Sequence, residues 1–200
     1  MKLVPLESPE LVQLAAEWLA QEENYRWLDF GGGRQIVTPA LLKIMAQRES
    51  HFMRVYTADP DDNPVGIIGL NDVDRNFRTG TLWGVTGDKS FRSRGFATFA
   101  GSKFLTLAFE DLGLRVVNTW AVEHNPSVRL IERLNFRFVG RQRQCHCMDG
   151  AVHDRLLFDL LAEEHHEMEF EWPRRRAGRA ADDGNRSTTA RARCAHAATH

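Results

Sequence analysis

The sequence predicts an α/β domain, from two apolar runs and the glycine turn that stands between them. Residues 79–86 read as a strand, and Phe91-Arg92-Ser93-Arg94-Gly95-Phe96-Ala97-Thr98 follows it and opens a long amphipathic segment. Along that segment Ala97, Ala100, Phe104, Ala108 and Leu112 fall on one face at helical spacing, and Gly113 stops it. Residues 116–122 then read as a short buried strand, and residues 126–134 as a second helix with Ser127 near its start. Strand, glycine turn, helix, strand, helix in that order is an α/β unit with an anion site at its centre.

The anion site follows from backbone chemistry. The first N–H groups of a helix have no acceptor within it, and they stand at the positive end of its dipole. Gly95 and the small Ala97 let a negatively charged group come close to them. A phosphate or pyrophosphate is therefore expected on the N–H groups of residues 94–98, with Arg92 and Arg94 flanking the turn for charge-assisted contacts.

The other elements follow in order. Residues 3–5 read as a first strand, and Ser8 caps a helix over residues 9 to about 22 with Leu11, Leu14, Ala15 and Trp18 on one face. Residues 22–38 carry Tyr25, Arg26, Trp27, Asp29 and the run Gly31-Gly32-Gly33, too glycine-rich and aromatic for a regular element. Thr38-Pro39 starts a helix to about residue 48. Residues 51–58 and 65–73 alternate as strands joined by the turn Pro60-Asp61-Asp62-Asn63-Pro64. A last pair of strands, 138–146 and 152–161, is expected around Asp149-Gly150, a hairpin signal. A dinucleotide-binding fold would need a longer parallel alternation and an acidic residue after its second strand, and neither is present.

Composition bounds the organisation. The 200 residues, 42% hydrophobic, suffice for one well-buried core and hardly for two. A formal charge of −1 gives no general pull toward nucleic acid or membrane. With no stretch near the roughly eighteen apolar residues of a membrane span and no signal-peptide pattern at the start, the expected location is the cytoplasm. Cys145, Cys147 and Cys194 form no framework, and Cys145-His146-Cys147 lacks a second ligand pair at zinc-finger spacing, so no metal is expected; His165-His166 is read the same way. Residues 1–162 are read as one domain. From Glu163 onward, Arg174-Arg175-Arg176 and a near absence of large apolar residues beyond Trp172 predict a disordered basic tail over residues 163–200, able to touch an acidic surface or RNA but more simply solvated.

Four segments carry a family resemblance: Gly69-Leu70-Asn71-Asp72-Val73-Asp74, Arg92-Ser93-Arg94-Gly95-Phe96-Ala97-Thr98, Phe109-Glu110-Asp111-Leu112-Gly113-Leu114, and Ser127-Val128-Arg129-Leu130-Ile131-Glu132-Arg133-Leu134-Asn135-Phe136. Together they resemble the GNAT superfamily of N-acetyltransferases, within it the branch of ribosomal-protein N-terminal acetyltransferases and spermidine acetyltransferases, over roughly residues 2–162. The resemblance implies an α/β (α+β) fold: a mixed, mostly antiparallel sheet of about six to seven strands, flanked by about four helices and splayed between the fourth and fifth strands. It implies an enzyme with acetyl-CoA as co-substrate and no metal, acting on a primary amine of a small molecule or a protein N-terminus by direct attack in a ternary complex. A homodimer is an open partner state. By the same resemblance the pantetheine lies along Trp83, Gly84, Val85 and Thr86, where a backbone N–H polarises the acetyl oxygen. The pyrophosphate rests on Arg94, Gly95, Phe96, Ala97 and Thr98 beside Arg92, and Asn125 and Ser127 complete the cofactor contacts.

Acetyl transfer needs a neutral amine, a polarised thioester carbonyl and a stabilised or protonated thiolate. Here the chain departs from its relatives. Where many carry a glutamate base on the fourth strand, Thr81 stands, and it accepts no proton at neutral pH; Asp72, Asp74 or Glu123 acts through water, or the amine arrives neutral. Relatives often place an asparagine three residues before the serine, whereas Asn125 lies two before Ser127 and is expected either to touch the cofactor or to cap the helix. Asn135 replaces their glycine at a left-handed helix end. The tyrosine that often protonates the thiolate elsewhere has no counterpart in residues 128–134, which leaves Ser127 as the nearest hydroxyl. Acceptor recognition falls to residues 22–34 and the final hairpin, where Tyr25, Trp27, Asp29 and Phe30 form an aromatic and acidic wall or pack beneath the glycine loop. The intact turn favours an active enzyme. Thr81 and the missing tyrosine favour a module that holds an acyl-CoA or a partner without catalysis.

Overall fold

A computed structural model of the chain describes residues 1–30, 37–58 and 62–169. The glycine run 31–33, residue 34 and part of the 60–64 turn lie outside the described residues, as do Cys194 and residues 170–200 of the expected tail.

Strand β1 (Leu3–Pro5) leads into α1 (Pro9–Ala20), whose Ser8 side chain accepts from the Leu11 N–H at 3.2 Å. A four-residue helix α2 (Glu22–Tyr25) follows, and Thr38 caps α3 (Pro39–Ala46) in the same way. Then come β2 (Phe52–Ala58), β3 (Asn63–Asp74), β4 (Thr79–Thr86) and α4 (Phe96–Glu110). The chain continues through β5 (Val116–Val122), α5 (Val128–Arg133), β6 (Arg137–Met148) and β7 (Ala151–Leu161). The turns expected from sequence take the left-handed conformations their residues suit: Gly113 at φ 66, Asn135 at 67, Asp149 at 52 and Gly150 at 74.

The seven strands form one sheet in the order β1-β2-β3-β4-β5-β7-β6. Every neighbouring pair is antiparallel except β4 and β5. That parallel pair joins only Thr79 to Leu82 with Val116 to Thr119, so the two strands part beyond this point, as the resemblance implies. The buried Thr119 hydroxyl donates to the Leu82 carbonyl at 3.0 Å and satisfies the last paired acceptor where the ladder ends.

The sheet is covered on both faces. One core packs α4 and α5 with Leu70, Leu82, Val117 and Phe158; the other packs α1 and α3 with Val55, Ile67 and Val85. Two helix faces differ from those expected. In α1 the buried residues are Val12, Ala15, Ala16, Trp18 and Leu19, with Leu11 and Leu14 only partly covered, because α1 touches α3 as well as the sheet. In α4 burial extends to Thr98, Gly101, Ser102 and Phe109, because neighbours cover it on more than the sheet side.

One of those neighbours corrects the expected domain edge at residue 162. Residues 162–164 form a short turn, and His165 Nε2 bonds with Thr106 Oγ1 at 2.9 Å while the Met168 N–H donates to Ser102 Oγ at 2.8 Å. The stretch 163–169 therefore lies along α4 rather than in a disordered tail. Polar partners on the helix hold it in place of the apolar side chains that composition led one to seek. Among the described residues no helix is long and apolar enough to cross a membrane.

Candidate active site

The slot begins where β4 and β5 separate. Because the Leu82 carbonyl faces β5, the alternation of the strand turns the backbone of Gly84 and Thr86 the same way. Past Leu82 that edge has no strand to pair with, so Gly84, which is exposed, presents an N–H and a carbonyl to the gap. Behind it, Tyr56 braces the strand: its hydroxyl donates to the Val85 carbonyl at 3.2 Å and bonds Thr86 Oγ1 at 3.0 Å. Burial pushes the Tyr56 hydroxyl up to about 12.

At the far end of the slot, the Asp88 side chain accepts from the Ser90 N–H, and the chain turns through Ser93 at φ 59 and Gly95 at φ 88 into α4. Gly95 is the residue before the helix, and a Cβ there would meet the Phe99 ring at 3.2 Å besides facing a strained backbone. The Ala97 and Thr98 N–H groups open the helix with no side-chain cap from Gly95. Arg94 lies over Phe91 and Phe96, and Arg92 pairs with Glu23 at 3.0 Å. Of the expected cofactor positions, those from Trp83 to Thr98 follow β4, the turn and the start of α4, while Asn125 and Ser127 stand at the start of α5.

Residues 1–137 match the family model described as Acetyltransferase (GNAT) domain. The chain belongs to the GNAT acetyltransferase family. The family's reaction moves an acetyl group from acetyl-CoA to an amine. An uncharacterized N-acetyltransferase from the SPbeta prophage of Bacillus subtilis strain 168 is 32% identical over 120 residues, covering 59% of this chain and 67% of the relative. A candidate ribosomal N-acetyltransferase of the same organism is 32% identical over 105 residues, 52% of this chain and 57% of its own length, so the match spans little more than half of that relative. In three dimensions the chain is similar to the spermidine N-acetyltransferase of Vibrio cholerae solved with CoA and spermine. The TM-score is 0.72 at 16% identity, over 82% of this chain and 96% of that one, a likeness that speaks for the fold.

The residues expected to face the acceptor are held together by side chains. Trp27 meets the His124 ring edge-on at 5.3 Å, and His124 lies 4.7 Å from His153. Asp29 accepts from Arg155 Nη1 at 3.0 Å. The Arg155 guanidinium lies 3.7 Å over the Trp120 ring and donates from Nε and Nη2 to His146 Nδ1. His146, buried, donates from Nε2 to the Arg26 carbonyl at 2.8 Å, which fixes its tautomer; burial, with the Arg26 carbonyl opposing, pushes its pKa down. Arg26 also pairs with Asp149 and reaches Met148 Sδ. Segment 26–30 and the final hairpin, the two regions expected to recognise the acceptor, are therefore bound to each other. Phe30 packs edge-on against Trp83 at 5.0 Å, and Tyr25 is only partly buried.

The carboxylates are mostly committed. Asp74 accepts from the Asn76 and Phe77 N–H groups at 2.8 and 2.9 Å and closes the β3–β4 turn. Asp72 is exposed at a β3 irregularity, in the left-handed region at φ 52. Glu123 and Asp154 share Arg141, at 2.6 and 2.9 Å. Thr81 sits in register between Asn71 and Asn118, on the same face as Trp83, whose indole N–H donates to Asn71 Oδ1. Just before α5, Asn125 Oδ1 accepts from the Ser127 N–H at 2.8 Å in a local turn, and Ser127, the residue that precedes the helix, makes no side-chain cap bond.

Sequence reasoning missed Arg155, His146, Trp120 and Tyr56. A strand arginine and a strand histidine look ordinary alone. Only the hairpin register, with His146 opposite His153, puts them on one face, and the irregularity between Gln142 and His146 hides that register from simple counting. Among the described residues no group of three or more His, Cys, Asp or Glu could hold a metal ion.

Proposed function

We propose that the protein acetylates a primary amine, of a small molecule or a protein N-terminus, by direct attack of the neutral amine on acetyl-CoA bound in the β4–β5 slot. It would act in the cytoplasm, where acetyl-CoA is available. The observation that carries this is the β4 edge left unpaired past Leu82, followed along the chain by the left-handed Gly95 that opens α4. In this reading Gly84 and Thr86 hold the pantetheine amides, the Ala97 and Thr98 N–H groups hold the pyrophosphate, and a β4 N–H polarises the thioester carbonyl. Ser127 supplies the hydroxyl for the departing thiolate, since that hydroxyl makes no cap bond to α5. The amine would enter past Tyr25, Trp27 and Asp29, the wall expected to meet it. Catalysis rests on position more than on a protein base, because Thr81 replaces the usual carboxylate and Asp74 and Glu123 are engaged elsewhere. Support for the acceptor class comes from the relatives' names, one of them ribosomal, and from the spermine-bound structural neighbour.

Release of free thiol from acetyl-CoA, measured with a panel of polyamines, amino acids, amino sugars and peptide N-termini, tests this. Amine-dependent release supports it. Tight acetyl-CoA binding with no release for any amine would instead support the non-catalytic module.

A further inference from the structure

The cofactor turn carries two cations that are already held by a carboxylate from the acceptor side. Arg92 Nη2 donates to Glu23 Oε2 at 3.0 Å, and Lys89 Nζ lies 3.4 Å from Glu23 Oε1. Lys89 has two further bonds: it donates to the Thr86 carbonyl at the end of the slot strand at 2.8 Å and to Asn24 Oδ1 at 2.6 Å. Asn24 is buried and donates in turn to the Trp18 carbonyl at 2.7 Å. Glu23 and Asn24 belong to α2, which leads directly to Tyr25, Trp27 and Asp29. One short helix thus touches the cofactor turn with its first residues and carries the acceptor wall on its last and those beyond.

We propose that Glu23 is an internal competitor for the cofactor's pyrophosphate, and that exchanging Arg92 between them couples cofactor binding to the acceptor segment. The inference rests on reading residues 94–98 as the pyrophosphate site. Arg92 stands two residues before that site, and its fork of donors fits a phosphate as well as a carboxylate. A pyrophosphate carries more charge than Glu23, so Arg92 turns to it. The two cations hold the Glu23 carboxyl below its ordinary value against partial desolvation, so it is ionised and able to compete at neutral pH. Lys89 stays, because its bonds to Thr86 and Asn24 do not depend on Glu23. Cofactor binding then loosens α2 at Glu23 while Asn24 keeps it docked, and the reverse linkage is required thermodynamically.

Calorimetric titration with CoA of the parent, Glu23→Gln, Arg92→Ala and the double variant tests this. At low ionic strength Glu23→Gln should bind CoA about two- to fivefold tighter, the size of one exposed ion pair. Arg92→Ala should bind more weakly, and the double variant should match Arg92→Ala, since the gain needs a free Arg92. Hydrogen exchange of amides 22–28 should rise when CoA binds the parent; in Glu23→Gln it should already be raised and change no further. Equal affinity in parent and Glu23→Gln, a gain that survives in the double variant, or unchanged exchange on binding would overturn the proposal. A gain that vanishes with dephospho-CoA would overturn the pyrophosphate as the competing group. Failure of the parent to bind CoA at all would overturn instead the cofactor reading on which this rests.

Discussion

From Trp83 to Thr98 the candidate site is made of backbone: an unpaired strand edge, a left-handed Gly95 and the first amides of α4. Across the gap it is made of side chains drawn from remote places, Asp29 to Arg155 and Arg26 to Asp149, each pair more than 120 residues apart in sequence. A backbone site needs few residue types and tolerates the rest. A side-chain site needs particular partners in contact, and in the proposed function those partners decide which acceptor fits. Beyond the modest coupling through Glu23, the two halves should therefore fail separately.

The largest break is expected at Gly95. A valine there must adopt φ near 88, costing roughly 1–2 kcal/mol or more, with its Cβ against Phe99. The added side chain also crowds the amides that would hold the pyrophosphate. At CoA concentrations that stabilise the parent by about 2.7 kcal/mol, near one hundred times its Kd, Gly95→Val should show no thermal shift. Undiminished stabilisation would mean the cofactor binds elsewhere.

Arg155→Met attacks the other half. It leaves Asp29 and His146 without a donor whose charged bonds are each worth about 1.5–3 kcal/mol, and it uncovers one face of Trp120. The acceptor KM should rise about tenfold or more while the Kd for acetyl-CoA stays within twofold, as steady-state kinetics and calorimetry would show together. A loss shared equally by both substrates would erase the division between the halves.

Smaller effects separate chemistry from structure near the slot. Ser127→Ala should lower kcat about tenfold with little change in Tm, because the hydroxyl caps nothing. Asp74→Asn keeps an acceptor for the turn amides, and Asp72→Asn alters an exposed group, so each should change kcat by far less than the roughly 10² to 10⁴-fold due to a positioned base.

The difference between the halves also explains what could be read from sequence. Gly95 and its flanking arginines, the caps Ser8 and Thr38, and the turns at Asn135 and Asp149-Gly150 each act within a few residues, so each leaves a local pattern. Arg155 and His146 leave none, because their meaning depends on a hairpin register and on a loop 120 residues earlier. The stretch to residue 169 escaped for a related reason. It is held by the Ser102 and Thr106 hydroxyls, which on α4 read as surface residues.

The smallest effect is a slope. Burial, the largest cause in each case, holds His51, His146 and His165 below the ordinary histidine pKa of 6.5. When unfolded, these groups take up protons as pH falls through about 6.5, whereas the folded protein takes them up only at lower pH. The unfolded state binds more protons, so stability falls with acidification below that point. The Tm should decline from pH 7 to 5, and His146→Gln should flatten the decline. A Tm that rises over this range would contradict the buried, neutral His146.

The central claim is that the site transfers acetyl by position, with no strong protein base on β4. The most direct test is the pH dependence of kcat/KM for two accepted amines whose pKa values differ by about two units. The rate should climb with pH toward the pKa of each amine, so the two profiles should be displaced by that difference. A single inflection at the same pH for both amines, abolished by replacing one carboxylate while acetyl-CoA still binds, would contradict it and identify a protein base.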